Sequence, residues 1–136
     1  NISFEQKSGT LELKELIQFI LKKASEGIDI DVLSLLKYEP GLLVVESIFT
    51  KETNSFSVED ELKFIDYPIY FSRLLEGKTI SAEDVYNNEY TQEFITSYLS
   101  EHGVLSLLDV PIFIHGELKY VISLSVKVMS KNSAHS

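Results

Sequence analysis

Cysteine is absent from the 136 residues, which excludes disulfides, thiolate metal sites, a nucleophilic cysteine and thioether attachment of a chromophore. Positive charge is scarce: Lys and Arg total 12 against 21 acidic residues, a formal net charge of -9. Nucleic-acid backbones and anionic membranes both demand a clustered positive surface, and the short basic runs "LKK" and "SRLL" supply none, so neither is an expected partner. Nothing approaches the roughly 18 apolar residues of a membrane span, and the N-terminus lacks the charged-then-apolar pattern of a signal peptide. A soluble, cytoplasmic domain is expected. The chain begins at Asn1 rather than Met, as a segment excised from a longer protein would. No glycine-rich phosphate loop occurs and no nucleophile, base and orienter fall at a catalytic spacing, so catalysis by this chain is not expected.

What is present suits a single domain over 1–136. Residues 10–26 read as an amphipathic helix in which Leu13, Leu16, Ile17, Ile20 and Ala24 recur at helical spacing, Thr10 caps, Lys22 and Lys23 suit the last turn and Gly27 ends it. Leu11 and Phe19 fall off that stripe and either widen it or leave apolar surface, the second predicting a weak homodimer. Two strands follow, "IDIDVLSLLKY" and "LLVVESIFT", joined at Pro40-Gly41 by a type II turn. A polar loop leads to a short, exposed strand or an extended connection in "VEDELKFIDY", then to a short helix in "YPIYFSRLLEG" with Pro68 in its first turn and a short strand in "KTISAED". A better helix is predicted from a cap at Asn87 or Asn88 to His102-Gly103, with Phe94, Ile95, Tyr98 and Leu99 inward. A last hairpin pairs "VLSLLDVPIFI" with "ELKYVISLSVKV" across His115-Gly116. This order predicts an α+β architecture, an antiparallel sheet with its two hairpins side by side and the intervening segment covering one face.

The words "DYPIYFSRLLEGKTISAEDVYNNEYTQEFITSYLSEHGVLSLLDVPIFIHGELKYVISLS" resemble GAF domains of bacterial signalling proteins. The resemblance rests on Asp66-Tyr67-Pro68 with Tyr70-Phe71, on Ile80 to Asp84, on Ser97-Tyr98-Leu99 and on Ser106 to Pro111, and covers roughly 28–126. It departs after "HGELKY", where Tyr120 and "VISLSV" stand in place of a glycine and a terminal glutamate, and it lacks the family's tryptophan-containing segment and long C-terminal helix. It implies a sheet of about five or six strands with helices on both faces and a small-molecule pocket under the middle segment. It further implies a sensory domain whose parent is a histidine kinase or a diguanylate cyclase, linked covalently to that effector domain. Fold analogy names neither ligand nor cofactor. The alternative is a pocketless GAF-fold module that only dimerises its parent. "NNEYTQEF" does not match the cyclic-nucleotide signature of the family, and the family's free-methionine-sulfoxide chemistry runs through cysteines.

Seven residues are the candidate ligand-binding set: Tyr70, Arg73, Tyr86, Phe94, Leu107, Asp109 and Ile122. With a two-residue turn at His115-Gly116, pleat parity sets Leu105, Leu107, Asp109 and Phe113 on one face, opposite Val126, Leu124, Ile122 and Leu118. Asp109 is then the one charge on an apolar surface. Either it accepts backbone N–H groups near Tyr86 to Asn88, or it lines the pocket, as the Asp-Ile-Pro segment of phytochrome GAF domains makes plausible. Arg73 on the short helix suits an anionic ligand or plain solvation. Tyr86, Tyr90 and Phe94 form either an aromatic wall or ordinary core, and Asp84 is expected to bind loop backbone. His102 suits a helix end and His115 an exposed turn, so neither is expected to hold a metal.

Overall fold

The structure, a computed structural model, describes residues 4–28, 30–50, 61–95 and 103–127, without the side chains of 4–14, 49 and 50. Helix α1 (Phe4–Ser25) leads into β1 (Val32–Glu39) and β2 (Leu42–Thr50). Strand β3 (Glu61–Lys63), helix α2 (Pro68–Leu75) and β4 (Ile80–Ala82) follow, and β5 (Val104–Ile114) and β6 (Glu117–Lys127) close the described chain. The six strands form one antiparallel sheet in the order β3-β2-β1-β6-β5-β4, with the two hairpins side by side through β1 and β6 as expected. Both tight turns take the predicted positions. Gly41 has φ +78° after Pro40, and His115 and Gly116 both have positive φ, the geometry whose twist suits a two-residue hairpin.

Because β3 and β4 are the two edge strands, the chain between them must cross the whole sheet. Five gaps of about 4.8 Å make roughly 24 Å, and α2 covers about 12 Å of it at 1.5 Å per residue. That traverse lays Tyr70, Phe71 and Leu74 on Leu36, Leu43, Leu107, Leu118 and Val121, the larger of two cores. The helix ends in a Schellman motif: Gly77 takes φ +81°, its N–H donates to Leu74 O and the Lys78 N–H to Arg73 O. Among the described residues no helix is long and apolar enough to cross a membrane.

The opposite face carries α1, and here the sequence expectation is corrected. Phe19 is core, packed with Leu108, Val110 and Leu124, while Ile17, Ile20 and Leu21 are 46%, 44% and 61% exposed. The inward line is Leu16, Phe19 and Lys23, because apolar residues occur almost all round this helix and the large phenylalanine ring removes more area from water than isoleucine would. Lys23 is buried, its Nζ 2.9 Å from Glu83 Oε1 and 5.3 Å from the Phe19 ring centroid. Thr10 lies inside α1 rather than at its cap, and the Leu11 side chain is outside the described residues.

A second correction concerns the predicted helix after Asn87. Residues 85–87 and 92–94 are separate 3-10 turns, broken because Asn88 stays extended and its Oδ1 accepts the Tyr90 N–H, a local bond that competes with helix. Residues 96–102, with the rest of that predicted helix and His102, lie outside the described residues, as does His135.

Candidate functional site

The sheet face under α2 holds a polar cluster. Asp109 is 4% exposed, pairs across the strands with Ile80 on β4 and Ser123 on β6, and points to the α2 side. Tyr70 Oη donates to Asp109 Oδ2 at 2.5 Å, and Ser123 Oγ donates to Asp109 Oδ1 at 2.6 Å. The expected backbone donors near Tyr86 instead belong to Asp84, whose Oδ1 accepts the Tyr86 N–H at 3.0 Å, the role foreseen for it. Two hydroxyls rather than amides therefore satisfy Asp109, one on α2 and one on the neighbouring strand β6, so the carboxyl ties the crossing helix to the sheet.

Tyr70, Phe94 and Leu107 gather on this face with Asp109. The Phe94 ring lies flat on Tyr67, centroids 4.2 Å apart and 8° between planes, and meets Tyr70 edge-on at 4.7 Å. Arg73, half-buried one turn along α2, donates from Nε to Thr79 O at 3.2 Å and stacks on Tyr90. Tyr86 is 42% exposed and not part of the buried group.

Ile122 does not join the others. It pairs with Val110, which packs under α1, so its side chain lies on the opposite face of the sheet. The register slips by one residue at Ile112/Phe113, and this β-bulge sets Asp109 against Ser123 instead of Ile122 and Leu107 against Ser125 instead of Leu124. A second slip at Val104/Ser106 turns Leu105 outward and buries Val104.

Two participants were not foreseen. Ser123 is visible in "VISLSV" only once the bulge is known. Glu93 accepts the Ile69 N–H at both carboxylate oxygens, 3.1 and 3.0 Å, and the Tyr70 N–H at 3.0 Å. It serves α2 as an N-terminal cap from 23 or 24 residues away, where negative charge is favoured by the helix dipole. The one sequence signal was a need: Tyr67 precedes Pro68 and offers α2 no capping side-chain bond of its own.

Burial pushes the Asp109 carboxyl up to about 6, with the Ser123 and Tyr70 hydrogen bonds acting in the opposite sense. A raised folded-state value makes the native protein bind the proton more tightly than the unfolded chain. The associated stability is fully present below the unfolded value of 3.8 and is lost as pH rises through about 6. Relative to an Asp109→Asn variant, the wild type should therefore gain about 1 kcal/mol between pH 7 and pH 5 in urea unfolding. A difference that stays flat or reverses counts against the buried carboxyl.

No protein-family profile matches the sequence and no curated protein does. Among solved structures the chain is similar to the GAF domain of a two-component sensor histidine kinase from Bacillus halodurans, with 21% identity and a TM-score of 0.55 over 86% of this chain and 78% of that one. It is similar to the GAF3 domain of a Synechocystis protein in its photoproduct state, with 11% identity and a TM-score of 0.58 over 89% and 77%. A type II free methionine-R-sulfoxide reductase from Thermoplasma acidophilum shares 16% identity at a TM-score of 0.53 over 98% and 86%. At such identities these likenesses speak to architecture alone, and together with the six-stranded antiparallel sheet flanked by α1 and α2 they establish that this chain has the GAF fold.

Proposed function

We propose that the chain is a sensory, regulatory domain rather than a catalyst. It binds a small molecule along the seam between the sheet and the segment running from α2 to Phe94, and passes the bound state to an effector domain of a longer parent, a histidine kinase or a diguanylate cyclase. The observation that carries this reading is Asp109. Its carboxyl is buried and titrates well above the ordinary value, so ionisation at neutral pH works against folding, and groups with such shifted titration gather at functional sites. Through Tyr70 it also joins α2 to the sheet, so a ligand that moved α2 would be felt at the strands next to α1. Tyr70, Arg73, Phe94, Leu107 and Asp109 form the proposed contact set, Tyr86 its exposed margin, and Ile122 is no part of it.

A second reading has its own support. Ile17, Ile20 and Leu21 give α1 an exposed apolar strip, which suits a weak homodimer by a pocketless module. Native mass spectrometry of the purified chain separates the two. The sensory reading expects a monomer or dimer carrying a displaceable small molecule; a bare dimer that Ile17→Glu with Leu21→Glu converts to monomer would favour the second.

A further inference from the structure

We propose that Arg73 and Tyr90 together anchor the oxyanion of a small-molecule ligand, a carboxylate or a phosphate, held by the outer edge of the guanidinium and by the Tyr90 hydroxyl proton. The inference rests on the sensory reading, whose seam it extends from Asp109 to the next turn of α2.

Arg73 is the only arginine among 12 basic residues, in a chain with 21 acidic ones. Lys22, Lys23, Lys78 and Lys119 each have a carboxylate oxygen within 4.0 Å, whereas Arg73 has none among the described residues. In so acidic a protein, a half-buried cation with no carboxylate beside it is unusual, and this one is also held in place. Its Nε–H donates to Thr79 O at 3.2 Å, and the guanidinium carbon lies 4.4 Å from the Tyr90 ring centroid. Tyr90 is fixed in turn by its own N–H on Asn88 Oδ1 at 2.8 Å. A stacked, hydrogen-bonded guanidinium loses little further freedom when it binds, which is the condition for a useful anion receptor.

The donor inventory points to what is bound. A guanidinium has five N–H donors, and the protein engages Nε and, at a long 3.5 Å, one on Nη1. Tyr90 Oη is the acceptor of that last bond, so its hydroxyl proton is left to donate outward beside the remaining guanidinium N–H groups. Charged N–H donors with a neutral O–H donor beside them suit an oxygen acceptor bearing negative charge, and the planar fork favours a carboxylate or phosphate over a spherical anion. The net charge of -9 opposes anions at long range, so selectivity here falls to these fixed donors.

The sole arginine gives the test an unambiguous reporter, because its Nε–Hε signal needs no assignment. The labelled protein is titrated with sodium phosphate and, separately, with sodium acetate, with chloride keeping ionic strength constant. The expected result is a saturable shift of the Arg73 Nε–Hε resonance with at least one of the two. Arg73→Lys, read at the Tyr90 amide, should weaken that binding roughly tenfold, and Tyr90→Phe, read at Arg73 Nε–Hε, roughly threefold. Which probe saturates tells carboxylate from phosphate. Shifts that track chloride alone with both probes, or binding unchanged in Arg73→Lys, would overturn the assignment. If native mass spectrometry still found a retained neutral molecule, the sensory reading would stand and only this anchor would fall.

Discussion

At pH 5, replacing Asp109 with leucine is expected to lower the unfolding free energy by about 2–4 kcal/mol, while asparagine costs under about 1 kcal/mol. At that pH the wild-type carboxyl, with its value near 6, is mostly protonated, so little desolvation remains to be relieved by the substitution. The comparison then isolates the hydrogen bonds. Leucine removes the acceptor shared by Tyr70 Oη and Ser123 Oγ, whereas asparagine keeps one carbonyl oxygen and offers its amide to the other hydroxyl. At pH 7 the leucine penalty should shrink by about 1 kcal/mol, because ionisation of the buried carboxyl already weakens the wild type there. Equilibrium urea unfolding at the two pH values checks both statements. A leucine variant as stable as wild type at pH 5 would mean that the carboxyl does not tie α2 to the sheet.

Phe94→Ala is expected to cost about 3–4 kcal/mol, near the usual loss for a buried phenylalanine. The ring touches Tyr67 face to face and Tyr70 edge to face, and paired aromatic contacts add about 0.5–1.5 kcal/mol each beyond burial. Its removal leaves a cavity under the N-terminus of α2, beside the Glu93 cap that immediately precedes it in the chain. Thermal or urea unfolding gives the number. A loss under about 1 kcal/mol would mean that Phe94 is the wall of an open pocket instead of packed core.

Much of the architecture could be read before any coordinates. Turn chemistry at Pro40-Gly41 and His115-Gly116 sets two hairpins, and the apolar strands need covering on both faces, which the GAF resemblance expressed as a sheet between helices. The candidate site was legible where it depended on one element at a time: Asp84 on loop backbone, Asp109 and Leu107 on one face. It was illegible where one residue of register decided the outcome. The slip at Ile112/Phe113 exchanges Ile122 for Ser123 beside Asp109, and with it an apolar neighbour for a donor. Long-range choices were equally hidden. Phe19 rather than Ile17 or Ile20 faces the sheet, where it packs on Leu108, Val110 and Leu124, and no periodicity in a helix apolar on several sides could decide that. Glu93 reaches an uncapped helix across more than 20 residues, and only the unmet need of α2 was visible locally.

The site is built on a protonatable carboxyl buried between α2 and the sheet, and a carbon-13 NMR titration of the Asp109 side-chain carboxyl measures it most directly. The predicted midpoint is about 6, well above the ordinary 3.8, with the Tyr70 and Ser123 resonances moving in the same step. A midpoint at or below 4, with neither neighbour responding, would place Asp109 in solvent and contradict the site as described.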